Sequence, residues 1–119
     1  MPSALPTEIR DKNYVSLATF RKNGVAVPTP VWFAEMDGKL YVMTRSDSGK
    51  FKRIRNNPQV RIAPSTIRGK ITGPEFPAQA RILPPADWEM PRKAIRAKYW
   101  LARLPFVWSD KNVYLEITF

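Results

Sequence analysis

The sequence predicts a mainly β fold: a small closed or nearly closed barrel of about six antiparallel strands with one short and one longer helix. Two tight-turn dipeptides, Asn23-Gly24 and Asp37-Gly38, each separate runs rich in strand formers. Apolar and polar residues alternate through Lys39 to Thr44 and again through Asn112 to Phe119. Strands joined by short turns form an antiparallel meander, and closing it into a barrel removes its exposed edges. The whole chain, residues 1–119, reads as one domain with a single core and no internal repeat.

From the N-terminus, Met1 to Lys12 is polar and punctuated by proline, an arm or short helix leading into the domain. Tyr14 to Phe20 gives the first strand. Asn23-Gly24, both suited to positive φ, turns the chain into a second strand over Val25 to Phe33. After Asp37-Gly38 comes a third, with Leu40 and Val42 on one face and Tyr41 and Met43 on the other. Lys50 to Asn56 reads as a short helix, stopped at Asn57-Pro58 because a residue before proline avoids helical geometry. Gln59 to Ala63 is a fourth strand, and Lys70 to Leu83 is expected to hold a fifth and a sixth element. From about Pro85 to Leu104 the period becomes helical: Trp88, Ile95, Tyr99 and Ala102 share a face. Pro91 fits only in the first turn of that helix or just before it. In the last strand Val113, Leu115 and Ile117 alternate with Tyr114, Glu116 and Thr118. Side chains fill a barrel this small, so any cofactor is expected outside it, in a groove completed by a second subunit.

Composition narrows the chemistry. With no cysteine there is neither a disulfide nor a thiolate, and with no histidine the commonest metal ligand and general base are missing. No metal site is expected and no catalytic side chain is assigned. No apolar run approaches membrane-spanning length and the start lacks a signal-peptide layout, so cytoplasmic residence is the expectation. A net charge of +10 implies an anionic partner, for which nucleic acid, an acidic membrane and a phosphorylated cofactor all qualify.

The stretch from Thr44 to Pro58 helps to choose. Asp47 or Ser48 is the natural N-cap of the short helix. A helix start carries partial positive charge and favours acidic neighbours, yet here Lys50, Lys52 and Arg53 stand in its first turns, with Arg55 following. Such crowding is relieved by a bound anion, for which phosphate at a helix start is the usual solution. The alternative is a solvated basic face. In the second strand, Pro28 and Pro30 lack donors toward the same side, so that edge cannot pair regularly. It is either a plain protected edge or a place where the backbone of Thr29 to Phe33 meets a flat ligand, with Trp32 and Phe33 as apolar walls. Trp88, Tyr99, Trp100, Phe106 and Trp108 could wall a substrate pocket, but aromatic stripes at helical spacing more often belong to the core or an interface.

Several segments occur in a telling order: Tyr14 to Phe20, Thr29-Pro30-Val31-Trp32-Phe33, Leu40-Tyr41-Val42, Thr44 to Pro58, Ile62-Ala63-Pro64, Arg68-Gly69, Thr72-Gly73-Pro74 and Ala78 to Leu83. Together they resemble the pyridoxamine 5'-phosphate oxidase-like, FMN-binding split-barrel superfamily, and within it the branch of deazaflavin-dependent enzymes thought to use coenzyme F420. The resemblance implies an oxidoreductase, homodimeric, with F420 or FMN bound at the subunit interface and hydride transfer to a small unsaturated molecule. By the same resemblance Ser48, Gly49 and Lys50 match the phosphate-binding turn, Gly49 standing where an arginine is usual. Lys52 would add a second cation, and Thr44 would lie beneath the cofactor. Thr29, Pro30, Val31 and Trp32 match the strand that lines the ring, and Arg68 and Gly69 the region reaching it from the partner subunit. The alternatives are a split barrel that stores flavin or heme without turnover and, from another class, a basic nucleic-acid-binding module. The clustering of charge at a helix start disfavours the latter.

Overall fold

The computed structural model describes residues 6–10, 12–99 and 111–119. Seven strands run as β1 (Val15–Phe20), β2 (Ala26–Val31), β3 (Ala34–Met36), β4 (Lys39–Arg45), β5 (Gln59–Pro64), β6 (Phe76–Ile82) and β7 (Asn112–Thr118). The helices are α1 (Thr7–Arg10), α2 (Gly49–Asn56) and α3 (Glu89–Lys98), the last preceded by a short 3-10 turn at Pro85–Asp87. All the strands join one antiparallel sheet in the order β2-β1-β5-β6-β7-β4-β3.

The two edges of this sheet, β2 and β3, are consecutive in sequence and joined only by Trp32 and Phe33. A connection that short spans at most roughly 11 Å. The sheet must therefore curl until its edges nearly meet, giving a barrel split along one seam.

Alternation divides the side chains between two cores. Val15, Leu17, Phe33, Leu40, Val42, Ile62, Leu115 and Ile117 fill the barrel, and Ile9 of α1 and Ile54 of α2 join the same cluster. On the other face of the sheet, α3 lays Ile95, with Tyr99 just beyond its end, against Ala34, Leu83 and Tyr114. Trp88 packs at 5.8 Å on Tyr114, and its Nε1 donates to the Leu83 carbonyl at 2.9 Å. Pro91 is the third residue of α3, inside the first turn where its missing donor is harmless.

Several expectations are corrected. Seven strands occur among the described residues where about six were expected: the second ends at Val31 rather than Phe33, and Ala34–Met36 beyond it forms a short strand paired with β4. Lys70 to Leu83 holds one strand, β6, and otherwise only an isolated Ser65–Ile71 bridge. Asp37 and Gly38 both take positive φ (55° and 76°), the two-residue turn expected of them. At the other hairpin only Gly24 does (86°). Asn23 instead uses its Oδ1 to accept from the Val25 amide, and Arg21 pairs with both Gly24 and Val25, a three-residue loop. Of the predicted aromatic set, Trp88 and Tyr99 are core packing; Trp100, Phe106 and Trp108 lie outside the described residues, as does Ala102 of the predicted helix face.

Candidate functional site

The site begins where β4 leaves the sheet. Ser48 caps α2: its backbone is extended and its Oγ accepts from the Phe51 amide at 3.3 Å. The same oxygen lies 2.7 Å from the Arg45 carbonyl, to which its single proton goes. In the 3.3 Å contact between Thr44 Oγ1 and Ser48 Oγ, Thr44 is therefore the donor. Thr44 is nearly inaccessible, so the cap is fixed to the end of β4 from below.

Asp47 is the carboxylate next to this helix start, and it is already engaged. Arg45 holds it through two 3.0 Å bonds and Lys111 adds a 3.6 Å ion pair. The Arg45 hydrogen bond keeps its pKa low, at about 2. The first turn of α2 contains no acidic residue. Lys50 is half-buried, and no ion pair to it is found among the described residues. Burial, and then the charge of Arg53, push its pKa down. Arg53 turns back toward the helix start, where its Nε donates at 2.7 Å to Oγ1 of the fully buried Thr19. Two cations thus converge beside free first-turn amides, and the carboxylate nearest them, Asp47, is already taken by Arg45 and Lys111. A phosphate fits this donor set in charge and in hydrogen-bonding capacity.

The other predicted residues form a second group. Thr29 Oγ1 donates to the Leu17 carbonyl at 3.3 Å, and Pro30 is exposed on the outer edge of β2. Pro28 and Pro30 pair on one side only, with Ala18 and Ser16 of β1. Val31 turns its side chain into the barrel, leaving only its backbone at the edge. Trp32 is half-buried and stacked on Tyr99, centroids 4.6 Å apart and planes within 9°. Phe33 is not an available wall. Its side chain is sealed in the barrel, and its N–H donates to the Tyr99 hydroxyl at 3.1 Å. That hydroxyl in turn reaches the Asn13 carbonyl at 2.6 Å and the Phe33 carbonyl at 3.0 Å. Arg68 is exposed, and Gly69 (φ +88°) lies beside Pro30, whose ring an added Cβ would meet at ordinary contact distance, 3.5 Å.

The structure therefore gathers Thr44, Ser48, Gly49 and Lys50 at one point, with Lys52 exposed beside them, and Thr29 to Trp32 with Arg68-Gly69 at another. Strand β1 links the groups: Thr29 bonds Leu17 and Arg53 bonds Thr19, about 7 Å apart along the strand. The specific contact between Arg53 and Thr19 was not anticipated from sequence. Its signal was Gly49, the residue without a side chain four positions earlier on the same helix face. Elsewhere among the described residues are open clefts of about 550 Å³ beside Phe20, Arg61 and Phe119 and of about 430 Å³ beside Tyr41, Met90 and Glu116. Glu116 in the second is held by Tyr41 at 2.9 Å and Arg81 at 3.3 Å, a strut across β4, β7 and β6.

A curled sheet split at one seam, with a cationic helix start at the end of its fourth strand, defines the class of split β-barrels. The chain matches the Pyridoxamine 5'-phosphate oxidase family over residues 1–108, and it belongs to that family. No curated protein matches it in sequence. Among solved structures it is similar to protein Rv2991 of Mycobacterium tuberculosis, at 19% identity over 96% of this chain and 84% of that one (TM-score 0.71). It is also similar to HutZ, the heme storage protein of Vibrio cholerae, at 16% identity over 91% and 82% (TM-score 0.63). A heme binding protein of Mycobacterium smegmatis matches at 12% identity over 89% of this chain but 46% of its own length (TM-score 0.67). At such identities the likeness shows the fold alone. Among the described residues, no helix is long and apolar enough to cross a membrane and no cluster of metal-ligating side chains occurs.

Proposed function

We propose that this chain is a cofactor-binding split barrel that holds FMN or the deazaflavin F420 by its phosphate at the start of α2. The observation that carries the reading is Lys50: half-buried, beside Arg53, at a capped helix start free of acid. A negatively charged phosphoryl group resolves that arrangement. The ring lies along the outer edge of β2, where Pro28 and Pro30 leave no donors to recruit another strand. A second copy of the chain covers it, in a homodimer. Exposed Lys52 and Arg55 supply positive charge beyond what one phosphate needs, which favours the longer anionic tail of F420.

When bound and reduced, such a cofactor would supply a hydride to a small unsaturated molecule, with the matching proton taken from water, so that the protein need provide neither a metal nor an acid of its own. The chain's own work is to fix the phosphate, orient the ring and exclude water. A holder that never turns over would use the same cradle, and the likeness to HutZ and the M. smegmatis heme binding protein favours this second reading. For heme, the sequence offers neither histidine nor cysteine, so an axial ligand would come from tyrosine or methionine.

Titration with FMN, F420 and heme, followed by fluorescence and absorbance, tests the proposal. Saturable binding of one flavin-type cofactor, weakened at least tenfold by Lys50→Glu in a folded dimer, is the expected outcome. A Soret band with no flavin affinity would move the assignment to heme. Oxidation of the bound reduced cofactor, measured with and without small-molecule acceptors, separates an oxidoreductase from a holder.

A further inference from the structure

We infer that Arg53 is the second anion-binding group of the cradle, and that Gly49 is the position that admits it. A Cβ placed on Gly49 would stand 2.8 Å from Nη1 of Arg53 and 3.6 Å from its Cζ and Nη2. The guanidinium thus fills the volume that a side chain at residue 49 would claim, directly over the first turn of α2. The two residues are four apart and share a helix face, and long side chains on a helix lean toward its N-terminus, which brings the group there.

What holds it is independent of the helix. Nε is spent on Thr19, whose hydroxyl is fully buried in β1 and which fixes the plane of the guanidinium. Both Nη groups remain for a ligand, and no ion pair of Arg53 is found among the described residues. A planar fork of this kind binds two oxygens of a phosphoryl group, whereas the Lys50 ammonium acts as a point charge. The pair would discriminate by geometry as well as charge. Gly49 is then a specificity position: any larger residue displaces the fork while leaving α2 intact, since the clash is with the far end of a flexible side chain.

The inference rests on the cradle being a phosphate site, and inorganic phosphate is the probe that keeps the two apart. Amide and Arg Nε signals of the intact protein are followed by NMR during a phosphate titration, in wild type, Lys50→Gln, Arg53→Gln and Gly49→Ala. The expected result is a shift of the Gly49 and Lys50 amides and of Arg53 Nε in wild type. Arg53→Gln and Gly49→Ala should each weaken binding tenfold or more. Gly49→Ala should do so with an unchanged or higher melting temperature, because alanine suits a helix better than glycine. If Arg53→Gln unfolds the protein by orphaning Thr19, Gly49→Ala alone decides. Should Lys50→Gln weaken binding while Gly49→Ala and a folded Arg53→Gln stay within twofold, this inference is overturned and the cradle stands. If phosphate leaves the Gly49 and Lys50 amides unmoved in wild type, the cradle itself fails.

Discussion

Helices α2 and α3 both end in basic last turns but differ in the charge placed at their starts. Glu89 occupies the first turn of α3 and pairs with Lys93 at 3.2 Å, while Arg96 and Lys98 occupy its last turn. Each charge therefore complements the helix dipole. The acid-free start of α2 carries Lys50 and the returning Arg53, yet its cap is well made and its Ile54 is buried in the barrel core. A helix needed only for packing gains from the arrangement in α3, by about 0.3–1 kcal/mol per well-placed charge. Keeping cations at the start of α2 sacrifices stability of that order in the empty protein, which is what a ligand site tolerates and a structural helix does not.

The contrast can be broken from either side. The largest expected effect is on α3: Ile95→Ala, at a fully buried position, should cost about 2–5 kcal/mol in chemical denaturation while leaving phosphate affinity intact. A loss of phosphate binding in a folded Ile95→Ala protein would mean the two helices are not separate in function. Next comes Tyr99→Phe, which deprives the Phe33 backbone of its partner and should cost about 1–3 kcal/mol. Burial raises the Tyr99 pKa from 10.0 to about 12. The folded state then holds the phenolic proton more tightly than the unfolded one, so this contribution is complete below pH 10 and lost as pH rises toward 12. Denaturation midpoints measured across that range should fall less steeply in Tyr99→Phe than in wild type. The smallest effect is the most telling. Lys50→Glu should raise the stability of the empty protein by about 0.3–1 kcal/mol and abolish its anion affinity. A destabilised Lys50→Glu protein would return α2 to the structural class.

Features governed by local rules were legible in the sequence. Asp37-Gly38 formed its turn, Asn57-Pro58 ended α2, and Pro91 was accommodated in a first turn. Sheet alternation also placed Leu40 and Val42 opposite Tyr41 and Met43. What escaped was settled by contacts distant in sequence. Ala34–Met36 is too short to announce itself, and it becomes a strand because β4 is brought beside it. Lys70 and Ile71 look extended, but the turn at Gly69 and the Gly73-Pro74 break confine them to a single bridge. At the site, Ser48 was readable as a helix cap and Lys50 as a cation in the first turns of α2, whereas Gly49 was singled out only through the family resemblance. Arg53 was readable only as one of the cations crowding that helix start, since its partner Thr19 lies 34 residues away in β1.

The Tyr99 clasp also bears on how the barrel breathes. At the seam, the amide of Phe33 donates to a phenol at the end of α3, outside the strand ladder. Solvent can reach that amide once α3 lifts, with every ladder still closed. Phe33 thus joins the exchange unit of the helix instead of that of the sheet, and its deuterium uptake becomes a gauge of the seam's opening.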